Sequence, residues 1–186
     1  MNWYCDYAIG DPVHGHYHDH EYGFPVDDET ALFERLVLEI NQAGLNWGLI
    51  LKKRPAFRDA FDGYDVDRIS RYREARRRTL LADAGIIRNR LKIDAVIHNA
   101  AVVKAMRRSH GGFAPWLRTH HPMVKSDWVR LFRKTFRFTG GEITGEFLMS
   151  IGYLPGTHRA DCPVHARILE AEPPWLEVGE DFYRET

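Results

Sequence analysis

Histidines stand at strict two-residue intervals in VHGHYHDHEYG, at His14, His16, His18 and His20, in a chain that holds ten. Imidazole and thiolate are donors that zinc takes in tetrahedral sets of four, and such a set can join residues far apart in sequence when the fold brings them together. Cys5 and His18 lie near one end of the chain. His158 and Cys162, in THRADC, lie four residues apart near the other. Two Cys and two His can close one site. Spacing alone leaves other readings open, because an alternating run of histidines could line one face of an extended segment and bind a metal by itself, or form a solvated loop. The two cysteines, the only ones in the chain, could also be a disulfide, free thiols or small buried hydrophobes.

A second candidate is Glu39, set among apolar residues in LVLEINQAGLNW. A carboxylate is seldom buried without a partner or a purpose. Tyr7, Tyr17, Tyr22 and Trp47 are close in sequence, or come close if a metal pins the N-terminal segment. Rings around a carboxylate suit a flat cationic ligand, which the π-faces also attract.

The elements that must position these residues read as helices. In DDETALFERLVLEINQAGLNW, Asp28 precedes an apolar series Leu32, Leu36, Ile40 and Ala43 at helical spacing, with Gly44 near the end. Further helical stretches are RPAFRDAFDG, with Pro55 at a helix start, VDRISRYREARRRTLLADAG, RLKIDAVIHNAAVVKAMRRS, KSDWVRLFRKTF and EITGEFLMSIG. The fold class is therefore all-α with short connections. LLADAGIIRNRLKIDAVIHNA reads as a helical hairpin in which Gly85 supplies backbone freedom at a helix end and the next helix opens near Arg88 to Arg90. A helix start suits a phosphate, and Arg88, Arg90 and Lys92 surround it with charge. Net charge is zero, yet Lys52 to Arg108 carry sixteen Lys and Arg against seven Asp and Glu. That section is built to meet something anionic. The start lacks a basic region followed by an apolar run, and no stretch matches a membrane span, so a cytoplasmic protein is expected. A cytoplasmic protein disfavours the disulfide. Residues 1–162 are expected as one domain and 163–186, which hold Pro173, Pro174 and several acids, as an appendage.

Cys5-x12-His18, YHDHEYGFP, LFERLVLEINQAGLNW, LKKRPAFR, DAGIIRNRLKI and His158-x3-Cys162, in that order, resemble the 3-methyladenine DNA glycosylase I family. The resemblance covers about Cys5 to Cys162. It implies a helix-hairpin-helix glycosylase with a zinc-tied lobe of N- and C-terminal residues, in which Cys5, His18, His158 and Cys162 hold a structural zinc. His14, His16 and His20 match no ligand position. Closed coordination leaves no place for water, so the zinc stabilises rather than catalyses. By the same resemblance Glu39 recognises the base, Tyr17 lines the pocket and Trp47 stacks, with Tyr7 and Tyr22 as further base-binding rings. The implied activity is monofunctional: hydrolysis of the N-glycosidic bond of 3-methyladenine in double-stranded DNA, leaving an abasic site, by a monomer. Gly85, Arg88, Arg90 and Lys92 would hold the DNA backbone, and Lys52 and Lys53 would also reach phosphate.

The chain departs from the family pattern in places. Tyr7 and Tyr22 stand where Trp is common, Ile40 and Asn41 where Gly and Gln are usual, and Glu142 and Glu146 where residues are typically small and neutral or hydroxyl-bearing. Three other readings compete: a glycosylase with a different base specificity, since added acids could repack the pocket, a zinc-stapled helical module that binds DNA without chemistry, or a hydrolase with an open metal site built from the histidine run, Asp19 and Glu21.

Overall fold

The computed structural model describes residues 3–184. Every regular element among them is helical, and no helix is long and apolar enough to cross a membrane. The eleven α-helices are α1 (Cys5–Ala8), α2 (Gly15–His20), α3 (Glu29–Gln42), α4 (Trp47–Ala60), α5 (Val66–Ile69), α6 (Glu74–Ala82), α7 (Arg90–Ser109), α8 (Phe113–His120), α9 (Lys125–Thr135), α10 (Gly141–Ser150) and α11 (Pro163–Glu170).

Helix α3 is the centre of the fold. It starts where the Asp28 carboxylate accepts the Ala31 amide at 2.8 Å, satisfying a donor that the first turn leaves free. An amphipathic helix buries one stripe, but α3 is buried continuously from Leu32 to Asn41. That is the signature of a helix surrounded by others. Helices α4, α7, α8 and α10 pack around it. Behind them, Phe113 stacks on Phe147 at 5.8 Å, and Phe132 and Phe136 approach each other at 5.2 Å, so the core is largely aromatic on this side.

Two helix boundaries differ from the sequence expectation. Pro55 lies inside α4 rather than at a helix start, on its exposed side, where a carbonyl left without an amide partner can meet water. The stretch from Val66 to Ala82 is two helices, because the chain turns between Ser70 and Arg73 and the Tyr72 hydroxyl donates to Asp62 at 2.6 Å. Residues beyond Cys162 pack on the body: Val164 and Ile168 are buried beside Cys5 and Cys162, and the Trp175 amide donates to the Gly152 carbonyl at 3.1 Å.

Candidate active site and metal centre

The histidine run is helical, and that sorts its members. Residues two apart point to opposite sides of a helix, whereas residues four apart share a face. His14 and His18 therefore turn inward. His18 is fully buried, and His14 Nδ1 pairs with the Tyr4 hydroxyl at 3.0 Å. His16 and His20 share the outer face with ring centroids 5.1 Å apart.

Cys5, His18, His158 and Cys162 are all buried, with one donor atom from each lying within 4.8 Å of the others. Sγ of Cys162 is 3.7 Å from His18 Nε2 and 3.5 Å from His158 Nδ1, and Sγ of Cys5 is 3.6 Å from His158 Nδ1. Tetrahedral Zn–S and Zn–N bonds place sulfur and nitrogen about 3.6 Å apart. The outward nitrogens are also fixed: His18 Nδ1 donates to Asp19 at 2.6 Å and His158 Nε2 donates to the Tyr22 carbonyl at 2.9 Å. Each inward nitrogen then presents a lone pair, as a metal ligand must. Both thiols are free. The residues fit a closed Cys2His2 zinc site.

Beside this cluster, a cleft of about 1030 Å³ runs between the C-terminal half of α3 and α10, roofed by α1, α2 and the start of α4. Glu39, Tyr7, Tyr17, Tyr22 and Trp47 all line it. Tyr17 and Trp47 meet edge to face at 5.1 Å, and Tyr17 and Tyr22 lie 5.7 Å apart. Tyr7 is more than half exposed and stands at the rim. The Glu39 carboxyl is buried and forms no hydrogen bond or ion pair among the described residues. Burial, and next the negative charge of Glu146, push it up to about 8, against the pull of Arg35. A carboxylate held in this way is short of a cation.

Sequence reasoning missed the support behind this wall. Arg35, itself buried, donates to the Tyr17 hydroxyl at 3.0 Å and to Glu21 at 3.0 Å. Arg54 donates to Glu21 at 2.7 Å and to Glu34 at 2.8 Å. Burial alone would raise the Glu21 carboxyl most, but Arg54 and Arg35 hold it below its ordinary value. Glu21 is therefore locked into an ion-pair network that fixes Tyr17, and it is not a ligand of an open metal site. The missed signal was the charged pair Glu34–Arg35 set between the apolar residues Leu32, Phe33, Leu36 and Val37 of α3. Tyr4, also missed, contacts the rings of Tyr7, Tyr17 and Tyr22 at 5.1–6.2 Å.

The hairpin between α6 and α7 lies where expected, with details that differ. Gly85 is not in a left-handed conformation; a Cβ there would come within 3.0 Å of Ala56, so the need is for space. Asn89 caps α7 by accepting the Lys92 amide at 3.1 Å. Lys92 is not available to phosphate, because its buried ammonium donates to the carbonyls of Asn41 and Ala43 at 2.8 and 2.7 Å and ties off the end of α3. Lys53 does the same for Ala84 and Gly85. Arg90 is exposed but paired with Glu74. Arg88 and Lys52 are exposed, and neither forms a hydrogen bond or ion pair among the described residues.

The family model described as methyladenine glycosylase matches residues 7–131. DNA-3-methyladenine glycosylase 1 of Escherichia coli is 33% identical over 177 residues, covering 85% of this chain and 94% of that protein. The DNA-3-methyladenine glycosylase of Haemophilus influenzae is 30% identical, covering 88% and 98%. A crystal structure of 3-methyladenine DNA glycosylase I superposes with a TM-score of 0.78 at 32% identity, over 86% of this chain and 97% of the other. The Staphylococcus aureus enzyme, solved to show 3-methyladenine recognition, gives 0.77 at 27% identity over 86% and 95%.

Proposed function

This chain belongs to the methyladenine glycosylase family, and from that premise we propose that the cleft of Glu39 receives 3-methyladenine turned out of DNA and that the chain hydrolyses its N-glycosidic bond. The observation that carries the reading is a buried, unpaired carboxyl in a ring-lined cleft. Methylation at N3 gives the base a positive charge, so it leaves readily once the nucleotide is extruded and held. The C1′–N bond breaks with its electron pair on the base, which leaves neutral, and the oxygen of water bonds to C1′ as the water releases one proton to solvent. Tyr17, Tyr22 and Trp47 stack around the base, Tyr7 covers the rim and the Glu39 carboxylate accepts from the base's amino group. Double-stranded DNA is the expected substrate form, because extrusion from a stack leaves room for such a cleft to act.

Cys5, His18, His158 and Cys162 would hold zinc, which with four protein ligands supplies structural closure and no Lewis acid position. This helix-hairpin-helix arrangement would touch the backbone through Arg88, Lys52 and the amides that open α7, without reading sequence. Two substitutions separate anchor from scaffold. Arg88→Ala should lower the slope of log K against log salt by about 1 with unchanged melting. Lys92→Met should leave that slope alone and cost about 1–2 kcal/mol of stability, since the Asn41 and Ala43 carbonyls lose their donor. Salt titrations of duplex binding and denaturant curves on both variants check the pair.

The direct test is chromatography of bases released from methylated duplex DNA. Release of 3-methyladenine above the spontaneous background is expected. Tight, salt-sensitive binding without release would replace the enzyme by a DNA-binding module.

A further inference from the structure

Helix α10 forms the wall opposite Glu39, and it brings Glu142, Glu146 and Met149 to the cleft at helical spacing. Glu142 is exposed, the ordinary place for a helical acid. Glu146 is not. It is half-buried, and the Tyr22 hydroxyl donates to its Oε2 at 3.1 Å. Its other oxygen, Oε1, forms no hydrogen bond among the described residues, and Glu146 has no ion pair within them. Burial raises its carboxyl, opposed by the Tyr22 hydrogen bond and the charge of Lys125. Lys125 lies along α10 beside Gly145, where a Cβ would strike its side chain at 2.7 Å. Of the three carboxyls that line the cleft, two are therefore shielded, Glu39 and Glu146, and Glu146 is fixed by a tyrosine with an oxygen to spare.

We propose that Glu146, held by Tyr22, is a second base-reading carboxylate that selects 6-amino cationic purines against 6-oxo ones. The inference rests on the glycosylase reading above. An exocyclic amino group carries two hydrogens that diverge by about 120°, so it can serve an acceptor on each side, whereas a carboxylate kept ionised by the cationic base beside it accepts and cannot donate. Glu39 takes one hydrogen and Glu146 the other. A 6-oxo group in the same place points lone pairs at both acids, and leaving charged acceptors unpaired in a buried site carries a large penalty. Both acids also favour a positive base over a neutral one.

The test uses full-length, zinc-loaded protein on duplex DNA methylated to contain both 3-methyladenine and 3-methylguanine, with the initial release rates of the two bases measured in one reaction. Their ratio cancels any change in overall activity. Glu146→Gln, which keeps the size but can donate to a 6-oxo oxygen, should lower the ratio of 3-methyladenine to 3-methylguanine by about 10-fold. Tyr22→Phe, which frees Glu146 to turn, should lower it less, and it reads the same ratio should Glu146→Gln fail to fold. An unchanged ratio in folded variants would mean that Glu146 merely steadies Tyr22, and the proposal falls. No release of either base by the wild type overturns the glycosylase reading itself and this assignment with it.

Discussion

Glu39→Gln should lower 3-methyladenine release by about 100-fold while making the folded protein more stable. The two effects have one cause. A glutamine keeps the shape of the side chain but loses the charge that pairs with a cationic base, and hydrogen bonds between charged groups are roughly twice as strong as neutral ones. The same charge is a burden to the empty protein. With the Glu39 carboxyl moved from 4.5 to about 8 by burial and by Glu146, the folded state binds a proton that the unfolded state has released. The native state is thus favoured fully below about pH 4.5 and loses that advantage as pH rises through about 8. Glu39→Gln should therefore match the wild type in stability near pH 4 and exceed it by on the order of 5 kcal/mol above pH 8. Denaturant unfolding of both proteins at pH 4.5, 7 and 9 reads the trend. Equal stability at all three would show that the carboxyl is not held in the cleft as described.

Activity should follow the opposite slope. Only the ionised carboxyl pairs with the cationic base, so kcat/KM for the free protein should climb with pH through a midpoint near 8 and level off above it. Removing the neighbouring charge by Glu146→Gln should move that limb to lower pH, because Glu146 raises Glu39 after burial does. A pH profile that is flat from 6 to 9 would count against Glu39 as the group that meets the base.

Much of this arrangement was legible in the sequence because long helices declare themselves. The apolar spacing of Leu32, Leu36 and Ile40, and the uninterrupted pattern from Arg90 to Ser109, specify α3 and α7 with little competition. Short elements do not. Four residues of α1 and six of α2 bury too little on their own to show a period, and an i, i+2 repeat of histidines mimics a strand. Helix α8, FAPWLRTH, carries a proline at its third position and only eight residues, too few to show a helical period. Side-chain fate was harder still. Arg88, Arg90 and Lys92 look alike in sequence, yet one has no partner among the described residues, one is paired with Glu74 and one is buried against the end of α3. Which carbonyls need a donor is decided by packing between segments about 50 residues apart, and no local pattern encodes it. The cleft-facing position of Glu146 could not be told from a solvent-facing one for the same reason, since only the approach of α10 to α3 turns it into the cleft.

The other large effect expected is loss of the Cys2His2 site. Purified protein should contain one zinc per chain, and Cys162→Ser should lose the metal and at least about 3 kcal/mol of stability. The four residues sit on α1, α2, the segment after α10 and the cap of α11. Around them the local core is small: Val164, Ile168 and the two cysteines, with Trp3 and Phe24 partly buried against them. So little apolar area cannot hold two helices of four and six residues in place. Those helices, the cap before α1 and the turn after α2 carry Tyr4, Tyr7, Tyr17 and Tyr22, which form one wall of the cleft. Base release should therefore vanish with the metal although no step of the reaction passes through it. Metal analysis, near-ultraviolet circular dichroism of the tyrosines and base release, followed together during slow chelation, should decline in step. A brief exposure to chelator that leaves zinc in place should leave release intact, because a closed site exchanges no ligand with substrate. If the metal-free protein keeps its tyrosine signal and its melting temperature, the site is not what fastens this wall. If release stops at once while zinc and fold persist, the cleft depends on a second, labile ion, and the histidine run on the outer face of α2 is the first place to look for it.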